Sequence, residues 1–196
     1  MANSTVELCN RALDLIGTNS ITSLNDNSKA ARLCNRNYGP VRDAVLRSYP
    51  WNCAMARARL PALVTSPAFG YARAFQLPQG PDPAYCLRVW EINGEPAEDI
   101  DYQIEGRTIV TDEAAPLDIR YVARIEDPTQ FDPLLDDAIA ARLAVDIAFS
   151  LVSNATLVTE LRNAYVAKMN EARMIDAREG KIRVETYADQ WIGARR

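Results

Sequence analysis

Histidine is absent from the chain. That excludes Ser-His-Asp and Cys-His nucleophilic sites, His-ligated zinc, and the usual general base near neutral pH. Cysteine is scarce: Cys9, Cys34, Cys53 and Cys86 stand far apart, with no C-x-x-C pair. A transition-metal site therefore lacks a ligand set. The four thiols are expected to be buried and reduced, acting as small hydrophobes. No cofactor motif occurs either, so neither a metal nor a cofactor is expected. No apolar run approaches the roughly 20 residues of a membrane span. The opening Met-Ala-Asn-Ser-Thr lacks the basic-then-apolar order of a signal peptide. The expectation is a chain made in a cytosol with no membrane partner. Only carboxylate, lysine or tyrosine chemistry is left for catalysis.

What the chain does have is an ordinary globular composition, 48% hydrophobic and 24% charged over 196 residues. The net charge of −4 gives no bulk argument for tight nucleic-acid binding. The charges are nonetheless segregated. Residues 25–60 carry Lys29, Arg32, Arg36, Arg42, Arg47, Arg57 and Arg59 against Asp26 and Asp43. Residues 126–141 carry Glu126, Asp127, Asp132, Asp136 and Asp137 with no base. Such a pattern fits either complementary faces between copies of the chain or two solvated helix faces.

Ser4-Thr5-Val6-Glu7 reads as a capping box, followed by Val6, Cys9, Leu13 and Ile16 at helical spacing and by Gly17 as a stop. Asp26 or Asn27 is placed to cap a second helix, whose stripe is Ala31, Cys34, Tyr38, Val41 and Val45. Gly39-Pro40 predicts a kink or break in it. Residues 61–70 read as a loop. The period then changes to two. Segments 71–77 and 87–92 suit strands, Asn93-Gly94 is a hairpin signal, and Leu117, Ile119 and Tyr121 alternate with Asp118 and Arg120. Asp132-Pro133 opens a third helix that is apolar nearly all round, and Asn154 opens a fourth that Gly180 can end. Ile182, Val184, Tyr187, Trp191 and Ile192 are scattered among charges in the last stretch.

The expected fold is mainly α: an antiparallel four-helix bundle with a small antiparallel β insertion of four or five strands and an extended C-terminal arm. Residues 1–60 would hold the first two helices and 71–125 the β unit. Residues 130–180 would hold the last two helices, and 181–196 the arm.

Several stretches form an ordered set. They are Ala12-Leu13-Asp14-Leu15-Ile16-Gly17, Ile21-Thr22-Ser23-Leu24, Tyr38-Gly39-Pro40-Val41-Arg42-Asp43-Ala44-Val45-Leu46-Arg47, Tyr49-Pro50-Trp51-Asn52-Cys53-Ala54, Ala74-Phe75-Gln76-Leu77-Pro78, Arg120-Tyr121-Val122 and Asp189-Gln190-Trp191-Ile192-Gly193-Ala194-Arg195. In this order they resemble the tail tubular protein A family, the head-to-tail adaptors of tailed bacteriophages. The resemblance covers nearly the whole chain and is weakest over residues 79–118. It implies a structural virion protein assembled in the host cytoplasm. Such proteins form a homo-oligomeric ring, usually of twelve copies, beneath the portal protein. They join it to a tail nozzle or tail-tube protein, and double-stranded DNA passes through the lumen on ejection without sequence-specific binding. It also implies a portal-binding arm, onto which Tyr187, Trp191, Ile192 and Arg195 map. Arg42 and Arg47 from the basic stretch and Asp136 and Asp137 from the acidic one are candidate inter-subunit contacts. So is Trp51 of the Y-P-W-N piece, which is either core or interface.

Other readings stay open. A head-completion or neck connector of a long-tailed phage differs only in its downstream partner. A tail-associated glycan hydrolase would use a carboxylate pair drawn from Asp132, Asp136 and Asp137. The same three acids suit a helix cap and a first turn favoured by the helix dipole. A nucleic-acid module would rest on Lys29 to Arg59, where stacking aromatics are limited to Tyr38, Tyr49 and Trp51.

Overall fold

The structure is a computed structural model that describes residues 4–179. Helix α1, Thr5–Ile16, begins where the Ser4 hydroxyl accepts the Glu7 amide at 3.2 Å. It ends at Gly17, whose φ of 77° lets its amide turn back to Asp14. Helix α2, Lys29–Arg47, is capped by Ser28 rather than by Asp26 or Asn27. Asp26 instead closes the preceding link by accepting the amides of Ser23 and Thr22 at 3.0 and 2.8 Å. Those bonds hold its carboxyl below the usual range.

Of the kink or break expected at Gly39-Pro40, the break does not occur: α2 runs through it. Pro40 and Arg36 both face solvent, so the carbonyl that loses its helical donor is open to water. Helix α3, Pro133–Val152, starts with the Asp132 carboxylate accepting the Leu134 amide at 2.8 Å. Helix α4, Ala155–Glu179, starts with Asn154 accepting from Leu157 at 3.2 Å. The apolar α3 packs against α1, α2 and α4.

Seven strands lie between α2 and α3: β1 (Met55–Leu60), β2 (Arg73–Gln76), β3 (Cys86–Ile92), β4 (Glu95–Pro96), β5 (Tyr102–Glu105), β6 (Thr108–Thr111) and β7 (Leu117–Ala123). They form two antiparallel sheets, ordered β1-β7-β3-β4 and β2-β6-β5. The sheets face each other over a core of their own. Leu60, Phe75, Val89, Ile92, Ile109, Leu117, Ile119 and Tyr121 meet in it. A second core joins the helices and receives Leu87 of β3 and Val122 of β7 from the back of the larger sheet.

The architecture is therefore α+β, not a four-helix bundle with a small insertion. Four helices and seven strands in two sheets make up the described residues. The β part is a sandwich with an interior of its own. Its first strand, Met55–Leu60, lies inside the segment 1–60 expected to hold the first two helices. The arm expected at 181–196 lies outside the described residues. No helix among the described residues is long and apolar enough to cross a membrane.

Candidate assembly surfaces

The sequence candidates fall into different environments. Trp51 is 1% exposed, and its indole N–H donates to the Val45 carbonyl at 3.1 Å. Its ring meets Tyr49 edge-on with centroids 4.9 Å apart. It is a core anchor that turns the chain from α2 into β1, so its side chain cannot serve as an inter-subunit contact. Asp136 is fully buried at the start of α3 and is equally inaccessible to a neighbour. Asp137 is half-buried and holds Arg11 at 3.3 Å and Lys168 at 3.1 Å, tying α1 and α4 to α3. Arg47 is exposed and donates to the Leu87 carbonyl. Tyr187, Trp191, Ile192 and Arg195 lie outside the described residues.

Arg42 is buried and belongs to a joint between the helices and the sandwich. Its Nε and Nη2 reach Asp43 at 2.9 and 2.8 Å, and the other Asp43 oxygen takes Arg124 at 2.8 Å. The guanidinium groups of Arg124 and Arg107 each lie 4.1 Å from the Tyr85 ring centroid. Arg107 then donates to the carbonyls of Cys86 and Pro78 at 2.9 and 2.8 Å. Asp176 of α4 adds a second joint. It is buried, accepts the Asn52 amide at 3.0 Å, and its carbonyl takes the Asn52 side chain at 2.7 Å. Burial pushes its carboxyl up.

The expected set of four buried thiols is also corrected. Cys9, Cys34 and Cys86 are buried, but Cys53 is exposed at the α2–β1 turn. Cys9 and Cys34 are neighbours across α1 and α2, and the hydrogen bond to Cys34 together with burial pushes the Cys9 thiol up. Among the described residues, no three acid or thiol side chains converge on a point that could hold a metal ion.

Two surfaces of the sandwich were not anticipated. At one edge, β1 alternates inward Ala56, Ala58 and Leu60 with outward Arg57 and Arg59. Arg59 pairs with Asp118 on β7 at 2.6 Å, which holds that carboxyl below its usual range. Arg120 pairs with Glu91 at 2.7 Å. Arg57 stands opposite Arg120 in the register and is exposed.

At the other edge, β4 stops after two residues at Pro96, which has no amide to donate. The sandwich is therefore open there. Tyr102 and Ile104 of β5 share the inward face with Thr111 and Ile109, yet Ile104 is 47% exposed. A register shift between Val89 and Glu91 turns Trp90 toward this opening, where Arg88 lies 5.0 Å from its ring centroid. The result is a groove of about 430 Å³ lined by Arg47, Trp90, Ala97, Glu98, Tyr102 and Ile104, among others. The alternation along β1 is a weak signal, because its inward residues are two alanines and a leucine. The groove has none, because the bulge and the truncated β4 that create it depend on pairing across the sheet.

No protein-family model matches the chain, and no curated protein sequence matches it.

Proposed function

We propose that this chain is a structural ring subunit of the head-to-tail adaptor of a tailed bacteriophage, not an enzyme. It would sit in the virion between portal and tail and leave a lumen for double-stranded DNA. The ordered sequence set that resembles tail tubular protein A supports this reading. The structural observation that carries it is α4. Over its 25 residues this helix buries only Leu161, Met169, Ala172 and Asp176, while Val166 and Met174 face outward. A helix about 37 Å long that touches its own fold along one strip has most of its circumference free for neighbours.

Against a glycan hydrolase stand the positions of its candidate acids. Asp132 caps α3, Asp136 is fully buried, and Asp137 is engaged by Arg11 and Lys168. None of them forms an open pair flanking a cleft.

The test is electron microscopy of the purified chain mixed with a purified portal ring. The expected image is an added ring of this chain, about twelve copies on the family resemblance, beneath the portal. Failure to bind the portal, with glycan hydrolysis that Asp136→Asn abolishes, overturns the proposal.

A further inference from the structure

Among the described residues, β1 pairs with β7 alone. It is the outer strand of its sheet, and its other edge makes no backbone bond. Every second amide and carbonyl of Met55–Leu60 therefore points away from the fold. Ala56 and Ala58 face the sandwich interior yet are only part-buried. On the outward face Arg59 is held by Asp118 and Arg120 by Glu91. Arg57 is exposed, stands opposite Arg120, and has no acidic partner among the described residues. An open strand edge of this kind is a template for one more strand.

The end of α4 heads toward that edge. The Arg173 carbonyl takes the Tyr49 hydroxyl at 3.4 Å, and its guanidinium reaches the Ser48 hydroxyl at 3.3 Å. One turn on, Asp176 takes the Asn52 amide at 3.0 Å. The helix and the chain from 48 to 52 thus advance in the same direction, and β1 begins three residues after Asn52. The chain that follows Glu179 sets off beside the start of β1. Four extended residues reach about 13 Å, so residues 180–183 suffice to bring the next ones alongside it. Residues 182–187 read Ile-Arg-Val-Glu-Thr-Tyr. The β-branched Ile182, Val184 and Thr186 alternate with Arg183, Glu185 and Tyr187, which is the pattern of a strand with one apolar face.

We infer that residues 182–187 add to the free edge of β1 in the same molecule, as a strand parallel to it. With Val184 level with Ala56, Thr186 comes level with Ala58, and both cover the part-buried alanines. The other face then sets Glu185 beside Arg57 and Tyr187 beside Arg59, which supplies the carboxylate that Arg57 lacks. Arg183 comes level with Met55. There a cleft of about 380 Å³ opens, lined by Met55, Ala56, Arg124, Ile125, Glu126 and Asp127, among others. Of its charges, Arg124 is held by Asp43 and Asp127 by Thr129, while Glu126 has Arg42 only at 3.9 Å. Glu126 is thus the acid open to Arg183. Ordering six residues costs nearly what the added bonds and the burial of Val184 return, and parallel pairs are the weaker kind. The strand is therefore lightly held and adds little to Tm. The pairing stands without the adaptor reading; on that reading it fixes the root from which the portal-binding arm leaves the body.

The test uses full-length chains in a Cys53→Ser background, which removes the exposed native thiol. One variant carries Arg59→Cys with Tyr187→Cys, on the same face of the proposed pair. The other carries Arg59→Cys with Thr186→Cys, on opposite faces. Circular dichroism checks that each is folded. Under mild oxidation the first should close a disulfide within one molecule at least tenfold faster than the second, at a rate that does not change on dilution. Adding Glu185→Lys to the first variant should slow closure several-fold, and adding Arg57→Glu as well should restore it. Equal rates for the two variants overturn the inference, because a chain that does not pair has no faces. Crosslinking only between molecules, slower on dilution, also overturns it. Portal binding scores the adaptor reading separately, and neither result decides the other.

Discussion

At the scale of single residues, the groups that join the helices to the sandwich carry the most legible energetics. Trp51 fills the turn between α2 and β1 and satisfies its indole on Val45. Trp51→Ala should cost about 3–5 kcal/mol by leaving a cavity there, measured by urea denaturation. Asp176 offers a pH test. Burial raises its carboxyl above the ordinary 3.8. The folded state thus holds this proton more tightly than the unfolded chain does. Its contribution to stability is full at low pH, falls as pH rises past 3.8, and levels once the group is ionised in both states. Asp176→Asn keeps the acceptor for the Asn52 amide and removes the charge. It should flatten that part of the pH profile and match or exceed the wild type at pH 7. Asp176→Ala strands the Asn52 amide and should cost about 1–3 kcal/mol at every pH.

At the scale of elements, what the sequence announces locally is what the fold uses. Ser4 and Gly17 bound α1, Asp132-Pro133 opens α3, Asn154 opens α4, and Asn93-Gly94 turns β3 into β4 with both residues at positive φ. β1 escaped because its inward residues are two alanines and a leucine, a weak strand signal. Its partner β7 lies some 60 residues away in sequence, and only that pairing settles its state. The groove is illegible for the same reason: Trp90 and Ile104 meet through tertiary pairing, not spacing. Pro40 shows the opposite lesson, a strong local breaker overridden by the flanking apolar stripe. Its cost remains in the helix. In Gly39 no Cβ competes with the proline ring, and a Cβ added there would meet nothing within 4 Å. Replacing both, Gly39→Ala with Pro40→Ala, restores the missing amide and should stabilise the protein by about 2 kcal/mol or more. A rise in Tm without a change in the near-ultraviolet spectrum is the expected readout.

At the scale of the whole molecule, the helices and the sandwich are tied together through Asp43, Arg124 and Tyr85 on one side and through Asp176 and Asn52 on another. A body joined this way holds surfaces at fixed angles to one another, which a ring subunit requires of the faces that meet its neighbours. The chain beyond α4 is a separate matter. α4 is described to Glu179, three residues past the Asp176–Asn52 joint, and residues 4–179 bring both a helical and a sheet core together. Removal of residues 181–196 is expected to leave a folded body with Tm within about a degree or two of the full chain. On the adaptor reading it should also abolish attachment to the portal, because the resemblance maps the portal-binding arm onto Tyr187, Trp191, Ile192 and Arg195. Calorimetry and co-sedimentation with portal rings separate the two effects. A truncated chain that no longer folds would place the arm in the core. One that folds and still binds would move portal recognition onto the exposed length of α4.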